Sequence, residues 1–436
     1  MHSEYTSFQL DENVVPFAVG CPDPMLLPLD VIQQATMRAF EGPVKQEPFT
    51  FQYGKMIGAD SFREHMAKFL SDEYQMKIGP GQVALCAGAS AAIGVVAQKL
   101  RRMNEEAFPL EKGNRDVLCE VPTYFHAEKM LVDAGCKPVG IPSTGYSDES
   151  AMGLVWGVET ELAGRQKVGK APPAFIYVIP TFHNPTGASL STRDVLELAC
   201  LAEKYGTYIV CDEPYNLLTF GANPMPQMMP IVQGHAGEER VISIGSFSKI
   251  VAPGLRCGWV LANETTLERV YCSGGSVISG GCTNPFAGLV VTEMMKGPCE
   301  LKTVVANARE ILGKRFSVFE TEMKAANLDN CVRVPSGGYF AWIRLGNDRD
   351  GNPIDSNSQE FKSKCSEHGV QITPGIKCVI ESATTFDSSR DHSLSKCIEK
   401  IVDSSRNSIR ICVAATPEQQ VRMGVQRLAK VIRHFK

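Results

Sequence analysis

The sequence predicts an α/β protein, with a mostly parallel central sheet in a large domain and a smaller α+β domain assembled from both chain ends. Three observations carry this. Short apolar runs alternate with helix-period segments from about residue 83 to residue 262, the pattern of repeated strand–helix–strand units. The first 45 or so residues are Pro-rich and lack that alternation, and Gly20-Cys-Pro-Asp-Pro24 reads as a turn. Beyond about residue 300 the texture changes again.

Taken in order, the expected strands are 82–86, 116–121, 137–141, 174–180, 207–212, 240–246 and 256–261, each an apolar run of strand length. Helices are expected over 91–101, 125–134 and 193–205. The last follows Ser191, a residue suited to a helix cap, and carries Leu198, Leu201, Ala202 and Tyr205 at helical spacing. A long helical stretch, 304–326, leads to Gly337-Gly338, a strand over 339–345 and a polar loop over 346–358. Residues 381–408 are rich in Ser and Asp and read as an exposed insertion or a disordered surface loop. A strand over 408–413 and a helix over 418–434 close the chain. This divides the sequence into an N-terminal arm and part of the small domain (1–47), a large domain (48–303) and a C-terminal small domain (304–436).

Composition narrows the function classes. With 436 residues, 44% apolar and 21% charged, the chain can bury a sizeable core. Lys and Arg number 44 against 48 Asp and Glu, a formal charge of −4. That balance offers nothing to a nucleic acid or an anionic membrane surface. Apolar runs such as 174–180 fall far short of the ~20 residues a membrane helix needs, and Met1 to Asp11 shows no signal-peptide pattern. The fifteen cysteines contain no Cys-x-x-Cys pair. Reduced thiols in a cytoplasmic protein are expected, with no metal site.

Open α/β sheets bind ligands beyond the carboxyl ends of their strands, and unusual residues stand at such ends here. Asn184 lies in Thr181-Phe-His-Asn-Pro-Thr-Gly187, Asp212 in Cys211-Asp-Glu-Pro-Tyr215, and Lys249 in Ile244-Gly-Ser-Phe-Ser-Lys249. Arg256 follows seven residues later, in Ala252-Pro-Gly-Leu-Arg-Cys-Gly-Trp259. Alone, each has a plain reading: a turn, a strand terminator, a surface cation. Lys249 is harder to dismiss, since a lysine in that Gly/Ser/Pro-rich setting serves no packing purpose. Their order and spacing together argue against coincidence.

In these motifs the chain resembles the fold-type-I, class I/II aminotransferases that use pyridoxal 5′-phosphate, in the branch of kynurenine/α-aminoadipate and multi-substrate enzymes. The resemblance runs from Gly20 through Ser408-Ile-Arg-Ile411. It implies that Lys249 forms a Schiff base with the cofactor aldehyde and then serves as acid and base. It implies that Asp212 sits against the pyridine nitrogen, that Asn184 and Tyr215 reach the phenolic oxygen, and that Tyr124 stacks on the ring. Gly88, Ala89 and Ser90, at a strand–helix junction, would hold the phosphate through backbone N–H groups, with Ser246, Ser248 and Arg256 adding side-chain donors. Ala89 departs from the family, which usually has Ser or Thr there. Tyr53 matches a tyrosine that reaches the phosphate of a neighbouring subunit, implying a homodimer. Arg410 would bind the substrate α-carboxylate, and Gly20 would lie close to the substrate.

The implied activity moves an amino group from an L-amino acid, aromatic or aminoadipate-like, to a 2-oxo acid. A carbon–sulfur β-lyase shares the cofactor residues and stays open. A ligand-sensing module fused to a DNA-binding domain is disfavoured, because no helix-turn-helix pattern precedes residue 20. Ser246-Phe-Ser-Lys249 also fits the Ser-x-x-Lys pattern of penicillin-binding proteins, but the Ser-Asp-Asn and Lys-Thr-Gly partners are absent.

Overall fold

A computed structural model describes residues 13–45, 51–111, 114–143, 152–221, 225–384 and 390–436. Residues 1–12, where no leader is expected, and the 47/48 domain boundary lie outside the described residues. The strands are β1 (Val15–Pro16), β2 (Val83–Cys86), β3 (Asp116–Val121), β4 (Lys137–Pro142), β5 (Ile176–Val178), β6 (Ile209–Asp212), β7 (Val241–Ser246), β8 (Gly258–Ala262), β9 (Phe340–Arg344), β10 (Val370–Gln371), β11 (Thr373–Pro374) and β12 (Ser408–Cys412).

Seven of them form the central sheet in the order β2-β8-β7-β6-β5-β3-β4. Strands β3 to β7 run parallel to one another, and only β8 is reversed against its two neighbours. The inner strands are covered on both faces, which is why they read as continuous apolar runs. Strand alternation splits their side chains between two cores. Ile176 and Val178 join a core with Phe62, Val158, Leu162 and Leu198. Phe175, Tyr177 and Ile179 face the other core, with Ile93, Val96 and Leu100 of the helix Ala89–Ala107.

The helix Thr192–Tyr205 starts as expected at Ser191, whose hydroxyl accepts from the Asp194 N–H while the Asp194 carboxylate reaches back, a capping box. The reading of 381–408 as an exposed or disordered insertion is corrected. Within it the helix His392–Arg406 buries Leu394, Cys397, Ile398, Ile401 and Val402 against the second core. These stand at i, i+3, i+4, i+7 and i+8, an apolar stripe that the Ser and Asp content conceals.

The C-terminal strands form a three-stranded antiparallel sheet, β11-β12-β9, and β1 pairs in parallel with β10. Val15 and Phe17 therefore share a third core with Phe319, Ile411 and Leu428. The helix Leu29–Ala39 instead packs Ala35 on the large-sheet core, so residues 13–45 serve both units. Between them, Asp23 Oδ2 accepts from Arg315 Nη2 at 2.8 Å, with the two side chains only 8% and 5% exposed. Asp23→Ala leaves that guanidinium buried without its partner and is expected to cost about 3–5 kcal/mol, read from urea unfolding. No helix among the described residues is long and apolar enough to cross a membrane.

Candidate active site

A cavity of ≈ 1030 Å³ opens at the carboxyl ends of β6 and β7, between the central sheet and the C-terminal strands. It is lined by Gly20, Ala89, Ser90, Tyr124, Asn184, Asp212, Tyr215, Ser246, Ser248, Lys249, Arg256 and Arg410. Residues scattered over some 390 positions of sequence thus meet at one place, roughly the size expected of a ligand site. Gly88 adjoins it. Tyr53 does not line it and is 93% exposed.

Lys249 follows β7, and its Nζ donates to the Gly20 carbonyl at 2.8 Å. The Tyr339 hydroxyl donates to the Lys249 carbonyl at 2.7 Å and fixes its backbone. Burial pulls the Lys249 amine below the ordinary lysine range, and Arg410 adds to the effect, while Cys21, Cys412 and Asp212 oppose it. Asp212 ends β6, and burial pushes its carboxyl up to about 6 against the opposing pull of the Tyr177 hydroxyl and Lys249. Its neighbour Glu213 is pushed up to about 7, again by burial. Glu213 accepts from the Met228 N–H at 2.9 Å and from Asn216 at 3.2 Å, a structural role at the start of the helix Met228–Val232.

The turn carrying Asn184 closes through Gly187, whose N–H donates to the His183 carbonyl at 2.7 Å. Gly187 has φ +72°, and a Cβ there would lie 2.5 Å from the Phe340 carbonyl oxygen, so glycine is needed. Gly88 has φ +94°, and a Cβ on it would come within 2.8 Å of Arg256 Nη2. This glycine lets the guanidinium lie beside the start of the helix Ala89–Ala107, which has no side-chain cap. Arg256 also donates to Ser248 Oγ at 3.3 Å, and Ser246 Oγ accepts from the Ser248 N–H at 3.1 Å. Gly88→Ala is expected to cost about 1–3 kcal/mol from backbone strain alone, measurable as a lowered unfolding midpoint.

Arg410, on β12, is 2% exposed. It donates to Asn184 Oδ1 at 3.2 Å, to the Ala18 carbonyl at 2.8 Å and to Thr373 Oγ1 at 3.1 Å. Phe125 and Phe340 flank the guanidinium, 5.2 and 4.6 Å from ring centroid to Cζ. Sequence reasoning missed these two rings, Thr373 and Tyr177. Thr373 faces Arg410 by β11–β12 register, a pairing that no local motif discloses.

Residues 12–428 match the family described as aminotransferase class I and II. The chain belongs to that family. Its cofactor is pyridoxal 5′-phosphate. This aminotransferase is 25% identical over 422 residues to aromatic-amino-acid aminotransferase 1 of Thermococcus litoralis, covering 97% of this chain and 88% of that protein. It is 25% identical over 368 residues to 2-aminoadipate transaminase of Thermus thermophilus, covering 83% and 81%. The crystal structure of the multiple substrate aminotransferase from Thermococcus profundus superposes with a TM-score of 0.75 at 23% identity, covering 97% and 92%. The fold expected from sequence is thereby borne out.

Proposed function

We propose that the cavity transfers an amino group from an L-amino acid to a 2-oxo acid, with pyridoxal 5′-phosphate held between Lys249, Asp212 and the start of the helix Ala89–Ala107. Arg410 is the observation that carries this. Its guanidinium is buried, has no ion-pair partner among the described residues, and leaves Nε without an acceptor. A buried charge without a counter-charge is costly, and a substrate α-carboxylate supplies one in the planar geometry that arginine matches.

The residues present fit the cofactor. The uncapped helix start at Gly88-Ala89-Ser90, with Arg256, Ser246 and Ser248 alongside, offers dispersed donors to a phosphate. Bound there, the cofactor supplies an electron sink for the bonds at the substrate Cα. Asp212 would hold a proton on the pyridine nitrogen, Asn184 and Tyr215 would donate to the phenolic oxygen, and Tyr124 would cover the ring. Lys249, its amine held below the ordinary lysine range by burial, would take and return a proton at Cα. Gly20 lets the backbone lie close against Phe340 and Arg410 at the cavity wall, since a Cβ there would stand 3.2 Å from the Phe340 ring and 3.9 Å from Arg410 Nη2.

An aromatic or aminoadipate-like donor is supported by the Phe125 and Phe340 rings at the cavity wall and by the two relatives' names. A panel of L-amino acids, each scored for 2-oxo acid formation, tests this; activity confined to small donors would contradict it. The proposed homodimer is supported by an exposed aromatic cluster. Phe40, Phe51 and Phe286 pack with ring centroids 5.9 to 6.4 Å apart while remaining 45%, 53% and 40% exposed, and Tyr53 projects from the same chain segment as Phe51. Light scattering should then give twice the 47.6 kDa of one chain, and a monomer would withdraw Tyr53 from the site. Fifteen free cysteines support a reducing, cytoplasmic setting. The proposed domain limits remain 1–47, 48–303 and 304–436, with 13–17 serving the small unit.

A further inference from the structure

We infer that Tyr177 is a positioning residue for the cofactor: its buried phenol fixes one oxygen of the Asp212 carboxylate and leaves the other to the pyridine nitrogen. This rests on the proposed pairing of Asp212 with that nitrogen.

The placement follows from the sheet. Tyr177, the middle residue of β5, pairs with Val210 of the parallel strand β6. Side chains alternate along a strand, so Asp212 lies on the same face as Val210, one position further along that face. A diagonal neighbour of this kind is within reach of a long aromatic side chain. The Tyr177 hydroxyl duly donates to Asp212 Oδ2 at 2.8 Å, with Tyr177 wholly buried. Among the described residues this is the one hydrogen bond the carboxylate receives, and Asp212 also lines the cavity.

The chemistry suits the position. Phenylalanine would fill the strand position equally well, whereas a buried hydroxyl is costly unless it has a partner. Burial holds the Tyr177 phenol far above its usual range, so it donates at every working pH. A donor to the carboxylate favours its ionised form and opposes the burial that pushes Asp212 upward. Without it, Asp212 shifts toward the neutral acid, which cannot hold a positive charge on the ring nitrogen.

The test uses the full chain loaded with ring-¹⁵N-labelled pyridoxal 5′-phosphate, in wild type, Tyr177→Phe, Asp212→Asn and the double variant. Nitrogen NMR reports protonation of the ring, and dialysis gives cofactor affinity. Tyr177→Phe should move the nitrogen signal toward the unprotonated position and weaken cofactor binding about tenfold, the scale of one hydrogen bond to a charge. In the Asp212→Asn background the same change should add nothing to either readout. A signal moved by Asp212→Asn but not by Tyr177→Phe would overturn the inference. Equal losses of affinity in both backgrounds would do so too, since Tyr177 would then be merely structural. A signal unmoved by Asp212→Asn would instead remove the pairing on which the inference stands.

Discussion

Lys249→Ala is expected to lower turnover on the order of 10⁴-fold or more, because it removes both the covalent anchor and the acid–base group. The fold should persist. Among the described residues the amine's one hydrogen bond is to the Gly20 carbonyl, and the backbone remains tied through Tyr339. Removing an amine that burial already disfavours in its charged form should leave the unfolding midpoint near that of wild type. Cofactor should still enter the cavity but wash out on dialysis, and borohydride should fix none of it to the chain. Cofactor still fixed to the variant by borohydride would mean that another lysine is the anchor.

Arg410→Ala should weaken the amino donor and the 2-oxo acid alike, by about 2–5 kcal/mol in kcat/KM, roughly 30- to 5,000-fold. The loss is large because the substrate carboxylate would be left in a desolvated site without its counter-charge. Arg410→Lys should recover only part, since an ammonium lacks the planar fork. Arg410 also ties Ala18, Thr373 and Asn184 together, so some loss belongs to the site's framework. Comparing an amino acid with its amide in both proteins separates the two. The amide lacks the carboxylate and should lose little further in the variant. Equal losses for acid and amide would make Arg410 structural.

Local chemistry was legible in the sequence, and long-range geometry was not. β3 spans the expected residues, Asp116–Val121, because Val117, Leu118, Cys119 and Val121 make an apolar stretch of strand length, interrupted only by the buried Glu120. Asn184, Asp212 and Lys249 announce themselves as polar residues at strand ends in short motifs. Tyr177 is hidden inside such a run, and its meaning depends on the register of β5 against β6. Phe340 stands 70 positions before Arg410 and meets it only because β9 pairs with β12, with Phe340 opposite Cys412. The helix His392–Arg406 was obscured by composition, since the Ser- and Asp-rich stretch 382–391 that reads as a loop directly precedes it, and its own Ser393, Ser395, Asp403, Ser404 and Ser405 prolong that texture. Tyr53 is a different case. Its expected partner lies on another copy of the chain, so its 93% exposure fits the dimer without testing its role.

Amino transfer is tested most directly by a single half-reaction. The cofactor-loaded protein is mixed with an excess of an α-¹⁵N-labelled L-amino acid and no 2-oxo acid. One equivalent of the corresponding 2-oxo acid per site should form and then stop, with the label retained on the protein as pyridoxamine 5′-phosphate. Continuous release of labelled ammonia, with pyruvate when the donor is a cysteine conjugate, would contradict amino transfer and identify a lyase.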